Sequence, residues 1–355
     1  MPRDLSLSVV VPVREPDERF ACCIAALRAL DQPADEVLVV LDGEEGLLRA
    51  REILGASPGS TRLLVQPHRG PAEARNLGAR SARGEILLFI DADVVVPRHL
   101  VAGVRESFAD PSVDAVFGSY DAFPKEPGFF SQFRNLLHHF VHQNGRPEAS
   151  SFWTGCGALR ARAFHAAGGF DPRYRDSSIE DVELGYRLRR MNARILLLRD
   201  LQVQHLKRWT PFEILRTDLL RRSVPWTRLI LRTREFPDDL ATSWSSRISV
   251  ALAAAGAAAA LAAPFAPGAF SPGLLAASGL SATAFVATNV PLFTFFASVR
   301  GLPFAMAGIA AYWAVALTSA MGFALGAATS FFAGERAPLV HERVPQCVAL
   351  PGIDS

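Results

Sequence analysis

Asp91 and Asp93 close the apolar run ILLFI at residues 86–90, one residue apart, in the stretch ILLFIDAD. Adjacent anions repel, and taking a carboxylate out of water without a counter-charge costs several kcal/mol, on the order of what a broken buried ion pair loses. Such a pair makes physical sense where a strand end opens into a cleft that holds a cation. Hard oxygen ligands of this kind suit Mg²⁺ or Mn²⁺. The plainer alternative is that both acids cap the helix expected over RHLVAGVRESF, 98–108. A second acidic pair, Glu180 and Asp181, opens the amphipathic stretch SSIEDVELGYRLRR at 177–190. There a helix dipole favours the ionised carboxylate. Like charges side by side suggest divided labour, with one group held by hydrogen bonds and the other facing a reaction partner. Ser178 or Asp181 serving only as a helix cap is the alternative here.

The elements that must position these acids alternate along the chain. LSLSVVVPV (5–13), DEVLVVLDG (35–43), TRLLVQP (61–67) and GEILLFIDAD (84–93) read as strands, and EPDERFACCIAALRAL (15–30) and GPAEARNLGARSA (70–82) as helices. Pro71 sits where a helix start tolerates it. Short apolar strands alternating with helices predict an α/β fold with a mostly parallel central sheet covered on both faces. Ligands of such sheets bind beyond the carboxyl ends of the strands, and Asp42, Asp91 and Asp93 all lie at such ends.

Composition divides the chain. The formal charge of +2 gives no reason to expect a nucleic-acid partner. The cysteines (Cys22, Cys23, Cys156 and Cys347) have no metal-ligand spacing and fit a reducing compartment. From Ile248 to Val299, and again from Gly301 to Gly334, no charged residue occurs. A bilayer crossing takes about 20 apolar residues, so an α-helical transmembrane region with three spans is expected over 248–334, followed by a tail at 335–355. Arg221, Arg222, Arg228, Arg232, Arg234 and Arg247 precede the first span, and Arg300 lies between the second and third. The positive-inside tendency then places the N-terminal domain, 1–235, on the cytoplasmic side of a multi-pass membrane protein.

In order along the chain, VVVPVRE (9–15), EVLVVLDG (36–43), GPAEARNLGA (70–79), ILLFIDAD (86–93), TGCGALRARAFHAAGGFD (154–171) and SIEDVELGYRL (178–188) resemble the family 2 glycosyltransferases of GT-A fold. The resemblance covers about 5–235. It implies a hexosyltransferase that takes its sugar from a UDP- or GDP-linked donor with a divalent cation and inverts the anomeric centre. By the same resemblance Asp93 touches the metal, Asp91 lies nearer the ribose, and Asp181 is the base supported by Glu180. Pro12, Arg14, Glu15, Arg75 and Asn76 fall in the donor-binding segments, and Asp42 is the candidate reader of the nucleotide base. Members often carry two consecutive acids there, whereas this chain has Leu41-Asp42, so a plain turn role for Asp42 stays open, as does a salt bridge for Arg75.

QHLKRW (204–209) stands where processive synthases carry QxxRW, with His205 in place of the glutamine. His205 becomes a candidate third metal ligand, and Arg208 and Trp209 candidate acceptor contacts. The substitution favours transfer of one sugar over polymer synthesis. Trp153 is a candidate for stacking on a sugar, and Gly155 for close backbone approach. GFFSQFRNLLHHFVHQNG (128–145) and the basic segment at 210–235, which Pro225 should interrupt, read as amphipathic helices at the membrane. A lipid-linked or membrane-proximal acceptor follows. The competing readings are a processive polysaccharide synthase and a catalytically inactive membrane adaptor.

Overall fold

The first strands are runs of Val, Leu and Ile because both of their faces are covered. In the computed structural model, which describes residues 5–55 and 61–333, β1 (Leu7–Val13), β2 (Glu36–Asp42), β3 (Thr61–Gln66) and β4 (Ile86–Ile90) pair in parallel in the order β3-β2-β1-β4. The intervening helices are α1 (Glu18–Arg28), α2 (Leu47–Leu54) and α3 (Pro71–Ser81). Asp17 caps α1 by accepting from the amides of Arg19 and Phe20. Helix α3 lies close on β1 and β2 because Gly78 has no side chain: a Cβ there would stand 2.4 Å from Val10 Cγ1.

Beyond β4 the sheet stops being parallel. After β5 (Val94–Val95) and α4 (Leu100–Ser107) come β6 (Ala115–Tyr120), α5 (Phe129–Gln143), β7 (Cys156–Arg160), α6 (Ala161–Ala166), α7 (Glu180–Arg190) and β8 (Ile195–His205). β7 runs antiparallel between β4 and β6, β8 is parallel to β6, and β5 is antiparallel to β8. The eight-stranded order β3-β2-β1-β4-β7-β6-β8-β5 is therefore mixed. The expected mostly parallel sheet holds for its first half. β7 follows β6 through α5 rather than through a crossover that returns it in the same direction, and this reverses it. Two apolar clusters cover the sheet faces, one around Val9, Val11, Leu88 and Phe20, the other around Phe89, Phe117, Phe164 and Phe170.

The basic segment at 210–235 forms α8 (Pro211–Arg216), a π-helical stretch Thr217–Ser223, and α9 (Val224–Thr233). Pro225 does not break it. A proline removes the N–H that would bond the carbonyl four residues earlier, here Arg221, and the hydroxyl of Ser178 donates to that carbonyl instead. The wide π turn just before Pro225 gives its ring room.

The apolar region forms α10 (Trp244–Ala262), α11 (Ser271–Thr288), α12 (Val290–Arg300) and α13 (Leu302–Ala333). Two helices, spanning Trp244–Phe265 and Leu302–Phe332, are long and apolar enough to cross a membrane, and α11 with α12 is a pair bent by 63°. The count is thus two, or three if the bent pair is one span. The bend falls at Asn289, whose amide is held by Ser249 and the Phe285 carbonyl. α5 does not lie free: Phe133 packs on Phe296, Phe129 on Phe304, and Arg300 donates to Gln132 and to the Ala122 carbonyl. The tail at 335–355 and Cys347 lie outside the described residues.

Candidate active site

The strand-end acids are compensated by one buried arginine. Arg75, 3% exposed on α3, donates to Asp91 Oδ1 at 2.7 Å and to Glu180 Oε1 at 2.8 Å. Glu180 is equally buried and Asp91 is 30% exposed. A single guanidinium thus ties the end of β4 to the start of α7, 105 residues apart for its Glu180 bond. A second tie runs through β7's approach: Asp91 N donates to Gly155 O at 3.4 Å, and the neighbouring Thr154 donates N–H and hydroxyl to Asp181 Oδ2 at 3.2 and 3.3 Å. Neither acidic pair caps the helices suggested for it. The α4 cap is His99, the α7 cap is Ile179, and neither makes a side-chain cap bond.

The carboxylates of each pair are unequal. Burial and repulsion from Asp93 push Asp91 up despite Arg75. Burial also pushes on Asp93, but His205, Lys207 and Arg19 outweigh it and hold Asp93 below the usual carboxylate range. Asp93 Oδ2 faces His205 Nε2 at 3.6 Å, and β5 sets that approach by pairing Val94 with His205. Glu180 is consumed by Arg75 and by the Ser178 amide. Asp181 keeps only the Thr154 donors and the Val182 amide; burial, then repulsion from Glu180, raises it to about 6.

Residues 8–168 match the family model described as glycosyl transferase family 2. That match places a glycosyl transferase family 2 domain at residues 8–168. The chain is 27% identical over 202 residues to the pre-mycofactocin glycosyltransferase of Mycobacterium tuberculosis, covering 55% of this chain and 41% of that one. It is 26% identical over 216 residues to the validoxylamine A glucosyltransferase of Streptomyces hygroscopicus subsp. limoneus, covering 51% and 47%. The chain thus spans less than half the length of these relatives. Among solved structures, the mannosyltransferase PcManGT from Pyrobaculum calidifontis, in complex with GDP-Man and Mn²⁺, aligns at a TM-score of 0.54 with 21% identity, covering 94% of this chain and 89% of that one. S. aureus TarS 1-349 aligns at 0.50 with 16% identity, covering 94% and 93%. These likenesses establish the GT-A fold.

Several expected site residues of the family 2 domain have other partners. Asn76 uses both ends of its amide on the Phe170 backbone, at 2.8 and 2.9 Å, and so locks the GGF turn instead of facing the donor. Arg75 is committed to its two carboxylates. Asp42 accepts from Gln66, His68 and the amides of Arg69 and Gly70, all within 3.0 Å, which fills its acceptor positions and holds it below the usual range against burial. Gly155 serves Trp153: a Cβ there would stand 2.1 Å from the indole. Trp153 is a wall, edge-on to Tyr120 and His142. Trp209 turns away onto α5, where its amide meets Ser131 Oγ at 2.8 Å, and Arg208 is exposed. Pro12 is half-buried at the end of β1, and Arg14 and Glu15 are exposed at the same rim.

No group of three His, Cys, Asp or Glu side chains converges as a metal cage among the described residues. With Asp91 taken by Arg75, the protein offers the pair Asp93 and His205. That fits a small hard cation, which is ordinarily held by one or two protein ligands with substrate phosphates and water filling the rest. The sequence reading missed Lys207, stacked 3.9 Å over Trp209 and within the field of Asp93. It also missed Tyr120, stacked on His205 with centroids 4.3 Å apart, and Arg222. Lys207 was visible as the cation next to Arg208, but both follow the end of β8, where no periodicity says that Lys207 is half-buried and Arg208 exposed.

Proposed function

We propose that this protein is a membrane-anchored, inverting glycosyltransferase that moves one hexose from a nucleotide-diphosphate donor to a lipid-linked or membrane-proximal acceptor, with its catalytic domain on the cytoplasmic side. The observation that carries the reading is the double bond of Arg75 to Asp91 and Glu180, which gathers the two acidic motifs around one centre. PcManGT holds GDP-Man and Mn²⁺, so a GDP-linked donor is assigned here by analogy with it, and a UDP-linked one by the resemblance to family 2 glycosyltransferases.

Asp93 and His205 would hold a divalent cation, which would supply charge neutralisation for the departing diphosphate. Lys207 adds a second positive charge on that side. Asp181 takes the proton of the acceptor hydroxyl, because it is the one carboxylate of the pair not bound to a guanidinium. Its raised value, about 6, makes it a better proton acceptor than an ordinary aspartate yet leaves it ionised at neutral pH. Thr154 aims it, and Trp153, Tyr120 and His142 form an aromatic wall that keeps water from the sugar. Of the base-reading candidates, Asp42 contributes by fixing the loop 66–70 at the rim, with Arg14 and Glu15 exposed beside it.

Calorimetry of the purified chain against UDP-, GDP- and dTDP-sugars, with and without Mn²⁺, tests this. One nucleotide class should bind in a metal-dependent way, Asp93→Ala should lose most of that binding, and Asp181→Asn should bind donor normally yet not turn over. Sugar transfer persisting after every divalent ion is chelated, or near-normal turnover by Asp181→Asn, would overturn it. The product should carry one added sugar; a ladder of lengths would favour the processive reading.

A further inference from the structure

Three arginines near the site are paired with acids. Arg75 holds Asp91 and Glu180, Arg134 holds Asp218 through two bonds of 2.9 and 2.6 Å, and Arg221 reaches Asp176 at 3.4 Å. Arg222, half-buried in the π-helical stretch, has no carboxylate partner among the described residues. Its one polar neighbour is His138 Nε2, at 3.4 Å from Nη1. His138 is neutral, since burial pushes its titration well below the ordinary histidine range, so it accepts a hydrogen bond from Arg222 without supplying a counter-charge. Its other ring nitrogen is buried and unbonded. Arg134 lies close enough to repel Arg222, while Asp218, already bound to Arg134, attracts it from the same stretch and Asp181 attracts it more weakly from α7. A cation kept half out of water beside another cation is costly unless an anion joins it.

We propose that Arg222, oriented by His138, binds a phosphate-type oxyanion of the acceptor next to Asp181, so that the acceptor is a phosphate-bearing lipid. This rests on the glycosyltransferase reading and names its acceptor class. The guanidinium fork matches phosphate through paired N–H donors. Its location argues for an anion arriving from the apolar side. The next residue, Ser223, lies against Gly322 of α13, where a Cβ on the glycine would stand 2.3 Å from the serine Cβ. Donor phosphates have their own positive side, at Lys207 and at the divalent ion that Asp93 and His205 would hold.

The test uses the full chain in neutral-detergent micelles, titrated with dodecyl phosphate and, as the uncharged control, dodecanol. In a separate arm it is titrated with the nucleotide and Mn²⁺. Wild type should bind dodecyl phosphate and not dodecanol. Arg222→Gln should weaken that binding more than about thirtyfold and Arg222→Lys about three- to tenfold, because lysine lacks the fork. Arg222→Lys keeps the charge and supplies the reading if the glutamine variant does not fold. Arg216→Gln, an exposed arginine of the same segment, should change nothing, and nucleotide affinity should be unaltered in all variants. Equal dodecyl phosphate affinity in wild type and both Arg222 variants would overturn the proposal. So would loss of nucleotide affinity with alkyl phosphate binding intact, which assigns Arg222 to the donor. Absence of nucleotide binding in wild type, with the Arg222-dependent phosphate arm intact, would instead sink the glycosyltransferase reading.

Discussion

Replacing Arg75 by glutamine leaves Glu180, 3% exposed, as an unpaired buried carboxylate and strips Asp91 of its counter-ion. Removing one partner of a buried ion pair costs about 3–5 kcal/mol. In a domain of this size each kcal/mol shifts Tm by roughly 2–4 °C, so the drop should be on the order of 10 °C at pH 7.5. The sign of its pH dependence follows from the charges. Arg75 opposes the burial and the repulsion from Asp93 that already push Asp91 up, so without it the folded-state value of Asp91 rises further above its unfolded one. Such a group stabilises the fold in its protonated form, a contribution fully present below the unfolded value and lost as pH rises through the folded one. The deficit of Arg75→Gln against wild type should therefore shrink on acidification toward pH 4.5, and Glu180→Gln in the same background should recover part of it at pH 7.5. Differential scanning fluorimetry in detergent across pH reads all of this. A Tm within about 2 °C of wild type at every pH would refute Arg75 as the shared counter-ion of the two motifs, since 3 kcal/mol corresponds to at least about 6 °C.

Because Asp181 must be ionised to act and titrates at about 6, kcat/KM should fall about tenfold per pH unit below that value and level off above it; a pH–rate profile flat down to pH 5 would remove Asp181 from the role. The same raised value makes the charged form a burden on the fold, a contribution lost as pH rises from 3.8 through about 6, so Asp181→Asn should raise Tm at pH 7.5 and leave it unchanged at pH 3.5. Asn76→Ala orphans the amide and carbonyl of buried Phe170, each worth about 1–3 kcal/mol, and should lower Tm without altering which nucleotide binds. In Gly326→Leu, whose Cβ would stand 2.7 Å from Thr227 Cβ, α13 should lose its seat on α9, and transfer to a membrane acceptor should fall while nucleotide binding in calorimetry stays intact.

The strands up to β4 and their order of appearance were readable because a two-faced buried strand must be a continuous apolar run, and those runs are local. The direction of β7 was not, since it depends on where α5 carries the chain. The motif acids were legible as types. Their roles were less so: Asn76 and Arg75 look like ligand contacts in sequence, but folding spends them on Phe170 and on the two acids. Lys207 and Trp209 were not readable as a stacked pair, because the segment that follows β8 has no periodicity to say which side chains meet. The basic helix was visible, whereas the loss of one N–H at Pro225 and its repair by Ser178 required knowing which element lies across from it.

That repair bears on how the site is assembled. Ser178 is two residues from Glu180, and its hydroxyl is bound to the Arg221 carbonyl of the π-helical stretch. Trp226 Nε1 donates to Tyr186 at 3.1 Å, Arg190 pairs with Glu235 at 2.6 Å, and Ile179, Tyr186 and Leu229 share an apolar cluster. The helix that carries Asp181 is thus strapped to α9, and α9 in turn rests on the Gly322 and Gly326 face of α13. Asp91 and Asp93, proposed for the metal side, hang on the sheet and on Arg75 of α3. Asp181, the proposed base, needs Thr154 beside the sheet and also the apolar helices, through α9. Donor binding and proton abstraction should accordingly respond differently to damage at the membrane side, and the half of the site that meets the acceptor is the half whose geometry the membrane region sets.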